Sequence, residues 1–322
     1  MEDLQKMERP DVLIAKVIGQ PIDAALPTPV VIAEIANVET AEPGEDVYCW
    51  DSDAGYDTNS DTLYTAGDAG EMVSNKKSPV SPSALTFVGL QSDLAYVTVN
   101  QVLNSKDQTA LARKKAAITR GMDKEEVARL ITLLIAVDIA KSQTVVLTTG
   151  EDLYDGILEM VHKIEDYGDN YVLLCGKTVK EKIDTYDKDH SDNFNYRIGM
   201  KETLANLGVK VIKLVGSVGM NSAGAYTTLI GANAAIMVAL NSQLVAGKPC
   251  LFVRRKISPE IAAGMGIEPE NAVRLVSVAQ TPTVINNHKN ILGYGVFGYE
   301  MVIEAVTNYL ATVYCADLVT EL

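Results

Sequence analysis

The chain has 322 residues, 47% of them hydrophobic and 22% charged, with a formal net charge of −14. That length buries a large core in one or two domains, and the composition is that of a folded chain, not a disordered one. The acidic balance argues against tight sequence-independent binding to nucleic acid, which needs clustered Lys and Arg.

The opening "MEDLQKMERPD" carries both charge signs and lacks an apolar signal core, so an unexported, soluble chain is expected. Residues 1–28 are punctuated by proline, with Pro10, Pro21 and Pro27 leading to Pro29, and show little amphipathic pattern. They read as an extended arm. "PVVIAEIANVE" (29–39) reads as a strand. From Glu39 to Glu71 inclusive there are ten acidic residues and no Lys or Arg, and strand-rich sequence returns over 78–100, where "LAYVTVN" alternates. Residues 29–100 therefore form one β-excursion with an acidic tip.

"NSKDQTALARKKAAITRG" is Ala-rich and basic, and reads as a helix ending at Gly121. A second helix is expected from "DKEEVARLITLLIAVDIAK", opened by Asp123 and Glu126 at capping-box spacing. "GEDLYDGILEMVHKIEDYG" is a third, with Leu153, Ile157, Met160, Val161 and Ile164 at helical spacing, and the strand "NYVLLCG" follows. Beyond it come a polar loop (184–196), a short helix "MKETLANLG" and a strand "VKVIKLV". The β-leaning stretches "PCLFVRRKI", "AVRLVSVAQTPTVI" and "GYGVFGYEMVIEAVTNYLATVY" close the chain. The apolar runs "LITLLIAV" and "LIGANAAIMVAL" fall short of the roughly 20 residues that cross a bilayer. This order is α+β, not regular βαβ.

Chemistry-bearing motifs are few. Within "DSDAGYDTNSDTLYTAGD", Asp57, Asn59, Asp61 and Asp68 fall near positions 1, 3, 5 and 12 of a calcium loop. Thr62 stands where the turn wants Gly, Asp68 replaces the usual Glu, and the flanks read as strands, so a solvated loop tip is the preferred reading. Gly216, Gly219 and Gly224 fit no phosphate-loop spacing. Cys49, Cys175, Cys250 and Cys315 lie far apart without a C-x-x-C pair, which points to buried thiols and away from structural zinc. His162, His190 and His288 have no catalytic partner at recognisable spacing. Paired acids such as Glu125/Glu126 and Glu151/Asp152 are read as helix-start charges. No catalytic residue, cofactor or metal is expected.

The arrangement of arm, long β-excursion, long helix and mixed α/β region, with "DLYDGILEMVHKIEDYGDNYVLLCGKTV" at its centre, resembles the major capsid proteins of tailed bacteriophages. The resemblance implies a Hong Kong 97-type fold, with N-terminal arm (1–28), extended β-hairpin loop (29–100), spine helix and peripheral domain (101–175), axial domain (176–270) and closing strands (271–322). It implies a subunit that self-assembles through hexamers and pentamers into an icosahedral shell around double-stranded DNA. A separate scaffolding protein or prior cleavage, a portal, no membrane partner and a place in the virion after assembly in the host cytoplasm are implied as well. The acidic tip of the excursion departs from the family pattern and suggests an inserted or decorated loop.

An arm and a hairpin too long to pack on their own core find their cheapest partner in another copy of the chain. The residues expected to make assembly contacts are Pro21, Pro27, Pro29, Lys76, Lys77, Arg113, Lys114, Lys115 and Arg120. Some relatives join subunits by Lys–Asn bonds, and Lys76 and Lys77 are the lysines placed for one, without an identified acceptor. An encapsulin-like compartment shell is the neighbouring alternative. A calcium-dependent binding protein using residues 51–68 is the alternative of another class.

Overall fold

The computed structural model describes residues 29–44, 47–52, 81–92, 95–98, 110–147, 152–189, 199–214, 217–220, 226–240, 247–258, 260, 273–286 and 289–319. The helices among them are α1 (Val30–Ile35), α2 (Ala110–Ala140), α3 (Leu153–Ile164), α4 (Lys177–Asp189) and α5 (Met200–Asn206). Before α2 lie β1 (Ala36–Ala41), β2 (Val47–Ser52), β3 (Ser81–Thr86), β4 (Val88–Gln91) and β5 (Ala95–Thr98). Through the middle of the chain run β6 (Thr144–Val145), β7 (Asn170–Cys175), β8 (Val209–Lys213), β9 (Ser217–Met220), β10 (Tyr226–Thr228) and β11 (Ala235–Leu240). The last strands are β12 (Cys250–Arg255), β13 (Arg274–Asn286), β14 (Lys289–Val306) and β15 (Thr312–Cys315). The architecture is α+β, as expected.

β14 is the trunk of a six-stranded sheet and, at 18 residues, is about 60 Å long. Val302 lies opposite both Arg254 and Val88, and Glu300 opposite both Arg274 and Leu90. β12 and β13 therefore follow one another along one edge of β14, with β4 and β5 along the other. β1 extends the sheet in parallel beside β12. A five-stranded sheet runs in the order β6-β15-β11-β7-β8. β7 and β11 are buried along nearly their whole length because both faces of this sheet are covered. On one face Leu173, Cys175, Met237 and Val313 pack with Ile157, Met160 and Ile164 of α3 and Val179 and Ile183 of α4. On the other, Val172, Leu174, Ile236 and Val238 meet Leu130, Ile131 and Leu134 of α2, and Phe252 and Val302 of the six-stranded sheet. This second core ties the two sheets together through α2.

Three elements differ from the sequence reading. The stretch 29–39 is not one strand but α1 followed by β1. Pro29 pre-sets φ at −49° and its carbonyl accepts from Ala33 N–H, Ile32 and Ile35 are fully buried, and Lys248 Nζ donates to the carbonyls of Ala33 and Ala36 at the far end. Tertiary packing overrides the β-branched preference of Val30, Val31, Ile32 and Ile35. Gly121 does not end a helix: α2 runs unbroken for 31 residues. Gly121 is exposed, and its cost of about 1 kcal/mol is outweighed by the buried row Ile118, Met122, Leu130 and Leu134. Residues 184–189, read as loop, continue α4, because Val179, Ile183 and Tyr186 recur on one buried face and Tyr186 Oη donates to Asp152 Oδ2 at 2.7 Å. Asp152 itself caps α3 as its spacing suggests, accepting from the N–H groups of Tyr154 and Asp155.

The helix lies against β14 at Gly298, where an added Cβ would collide with Met122 Sδ and stand 2.8 Å from Ile118 Cγ2. Gly298→Ala is expected to destabilise by about 1–3 kcal/mol in urea unfolding. The penalty should shrink in a Met122→Ala background; an unchanged penalty would show that the contact does not set the helix height.

Candidate functional site

Every fourth residue of α2 from Ile118 is buried: Ile118, Met122, Glu126, Leu130, Leu134 and Asp138. Two of these are acids, and each has its own partner on a sheet. Glu126 is fully buried and accepts from Arg254 of β12, Nε to Oε1 at 2.9 Å and Nη2 to Oε2 at 2.6 Å. Arg274 of β13, 1% exposed, reaches Asp123 Oδ1 at 2.6 Å, lies 3.1 Å from Glu126 Oε1, and donates through Nε to Glu300 Oε2 across the ladder. One turn further along α2, Arg129 pairs with Glu304 of β14. This helix–sheet joint of named charges replaces the capping box read from Asp123 and Glu126. The charges lie inside a continuous helix and face the sheet.

Glu300 has one guanidinium donor and its Oε1 has no hydrogen-bond partner among the described residues. Burial, reinforced by the negative charge of Glu126, pushes its carboxyl up to about 7 despite Arg274 and Arg254. At the other end of α2, Asp138 accepts from Thr312 Oγ1 of β15 at 2.6 Å, while its Oδ2 has no described partner. Burial raises this carboxyl to about 7 as well, against the Thr312 hydrogen bond and the charge of Lys163. Cys175 and Cys315 are free, buried and pushed up to about 11 by burial, so they are inert thiols. Cys250, fully buried, is pushed up further.

Of the expected assembly residues, Arg113, Lys114 and Arg120 are exposed. Arg113 and Arg120 lie two turns apart on the face of α2 opposite the buried row, with Lys124 one turn on. Lys115 is half-buried, and burial lowers its ammonium. Pro29 is half-buried at the start of α1. Pro21, Pro27, Lys76 and Lys77 lie outside the described residues, as do the calcium candidates Asp57, Asn59, Asp61 and Asp68. The base of the β-excursion is described: β2 and β3 form an antiparallel ladder from Val47↔Thr86 to Ser52↔Ser81. It is a two-stranded sheet of its own. Among the described residues no group of three or more His, Cys, Asp and Glu could hold a metal ion, and no helix is long and apolar enough to cross a membrane. His162 Nδ1 stands 3.0 Å from Glu165 Oε2 on the exposed end of α3.

No family model and no curated protein matches the sequence. Solved structures do match the fold. A structure from Mycobacterium phage Cain is similar at a TM-score of 0.56 and 12% identity, covering 98% of this chain and 100% of its own. One from Microbacterium phage Oxtober96 gives 0.53 and 14%, covering 94% and 97%. The holo-SrpI encapsulin complex from Synechococcus elongatus gives 0.52 and 12%, covering 98% and 99%. The fold is the Hong Kong 97-type capsid fold that the order of elements suggested.

Proposed function

We propose that this chain, built on the Hong Kong 97-type fold, is the major capsid protein of a tailed bacteriophage. In this reading many copies, grouped in hexamers and pentamers, close into an icosahedral shell around double-stranded DNA. The observation that carries the reading is the extent of the fold match: it takes in 98% of this chain and the whole of the Mycobacterium phage Cain chain. The β2–β3 ladder gives physical support, because an isolated two-stranded sheet is marginal in water and gains stability from a neighbouring surface. In a shell that surface is the next subunit. Arg113 and Arg120, on the solvent face of α2, are assigned to contacts with acidic loops of neighbouring copies. The reading assigns the chain no reaction; its partners are further copies of itself, a separate scaffolding protein and a portal. It places the protein in the virion after assembly in the host cytoplasm.

The similarity to the SrpI encapsulin complex favours one second reading, a compartment shell enclosing protein cargo. Electron microscopy with light scattering on the purified chain, alone and co-expressed with a scaffolding protein, tests both. Closed shells or rings of five or six subunits are expected, with nuclease-protected DNA in phage-derived particles. Shells that carry protein cargo and no DNA would move the assignment to the compartment. A chain that stays monomeric under both conditions would overturn shell formation.

A further inference from the structure

The joint between α2 and the six-stranded sheet holds an odd number of charges. Glu126 and Asp123 of the helix and Glu300 of β14 face Arg254 of β12 and Arg274 of β13, three carboxylates on two guanidiniums. The Arg129–Glu304 pair beside them is neutral by itself. Arg255, on the opposite face of β12, lies over Phe87 at 5.6 Å, and β4 offers only Leu90 opposite Glu300. With every group ionised the joint as a whole carries one negative charge in excess, with Asp123 at its wet edge and Glu126 and Glu300 inside.

Of the three carboxylates, one is buried and short of donors. Glu126 is held by both nitrogens of Arg254, and the Asp123 side chain is 32% exposed and keeps access to water. Glu300 is fully buried, shares Arg274 with two other acids, and its Oε1 has no donor among the described residues. An uncompensated charge in such a site is costly, and a proton removes the cost.

We propose that this joint is a one-proton switch. With Glu300 protonated its second oxygen carries no buried charge and the amino-terminal half of α2 is locked on β13 and β14; with Glu300 ionised, a buried carboxylate oxygen stands without a donor and the helix releases from the sheet more readily. The carboxyl is raised in the folded chain, so the folded state binds the extra proton. Its contribution is fully present below the ordinary glutamate value of about 4.3 and is lost as the pH rises towards about 7. A shell subunit with such a joint would be held rigid in mildly acidic medium and loosened at neutral pH.

The test is amide hydrogen exchange on the unassembled full chain, corrected for intrinsic rates, so it stands apart from shell formation. It is made in an Asp138→Asn background, which removes the helix's other raised carboxyl. Protection over residues 118–130 is expected to fall by about tenfold per pH unit between pH 5 and 7. Glu300→Gln, which mimics the protonated acid, should abolish the slope, and Glu304→Gln should leave it. A flat parent profile, or an undiminished slope in Glu300→Gln, overturns the switch. Should Glu300→Gln fail to fold, difference infrared spectroscopy on the Asp138→Asn chain serves instead. It should show one buried carboxylic-acid C=O band lost towards neutral pH, and absence of that band sinks the proposal.

Discussion

Arg274→Met is expected to cost about 3–5 kcal/mol of stability and to lower the melting temperature by roughly 5 °C or more. The arginine is 1% exposed and serves Glu300, Asp123 and Glu126 at once. Methionine fills much of the same volume, so the loss is electrostatic: Glu300 is left buried without its one donor among the described residues. The double variant Arg274→Met with Glu300→Leu should recover most of the loss. It leaves the two-bond Arg254–Glu126 pair intact, and Asp123 retains solvent. Replacing a whole buried ion set by apolar groups is often neutral, whereas removing one member is not. Urea unfolding of the four chains of this cycle checks the coupling directly. A single variant within 1 kcal/mol of the parent, or a double variant as unstable as the sum of the singles, would show that the joint is held by packing and not by charge.

That cluster was hidden in the sequence for a definite reason. Glu126 and Asp123 match the spacing of a helix start, and Gly121 before them looks like a helix end, so local rules gave a self-consistent wrong reading. The partners that decide otherwise are remote, with Arg254 128 residues from Glu126 and Glu304 175 residues from Arg129. One local signal did exist. Glu126 and Asp138 fall on the same every-fourth-residue row as Ile118, Met122, Leu130 and Leu134, and an acid inside a buried row announces a buried partner. On β14, Glu300 and Glu304 likewise share a face with the buried Val302.

The elements that were legible are those whose local and tertiary preferences agree. The helix α3 has an apolar stripe, an Asp152 cap and basic residues in its last turn, and β7 is a continuous apolar run. α1 was misread because four β-branched residues outvote one proline until the buried positions of Ile32 and Ile35 are known. The overall order of elements was more informative than any motif. The proposed role rests on the path of the backbone and not on a constellation of side chains, so it enters as an inference from the fold.

Asp138 should make the stability of the wild-type chain fall as the pH rises, the reverse of the usual carboxylate effect. It is fully buried in the last turn of α2, where the helix dipole also disfavours an anion, and the one donor to its carboxylate among the described residues is the Thr312 hydroxyl. The sign follows from the direction of the shift. A carboxyl raised in the folded state to about 7 binds a proton that the unfolded chain releases near pH 4. Stability is therefore greatest below pH 4 as far as this group is concerned, and declines up to about pH 7. Asp138→Asn keeps an oxygen for Thr312 and removes the titration. The variant is expected to gain on the order of 2–4 kcal/mol over the parent at pH 7 and above, and little at pH 4. Thr312→Val should act in the opposite sense, because losing the hydroxyl raises the carboxyl further and extends the decline to higher pH. Thermal melting of the three chains from pH 4 to 8 measures all of this. An Asn variant that tracks the parent's slope, or is less stable at every pH, would mean that Asp138 is ionised in the folded chain and that its free oxygen is met by water instead of a proton.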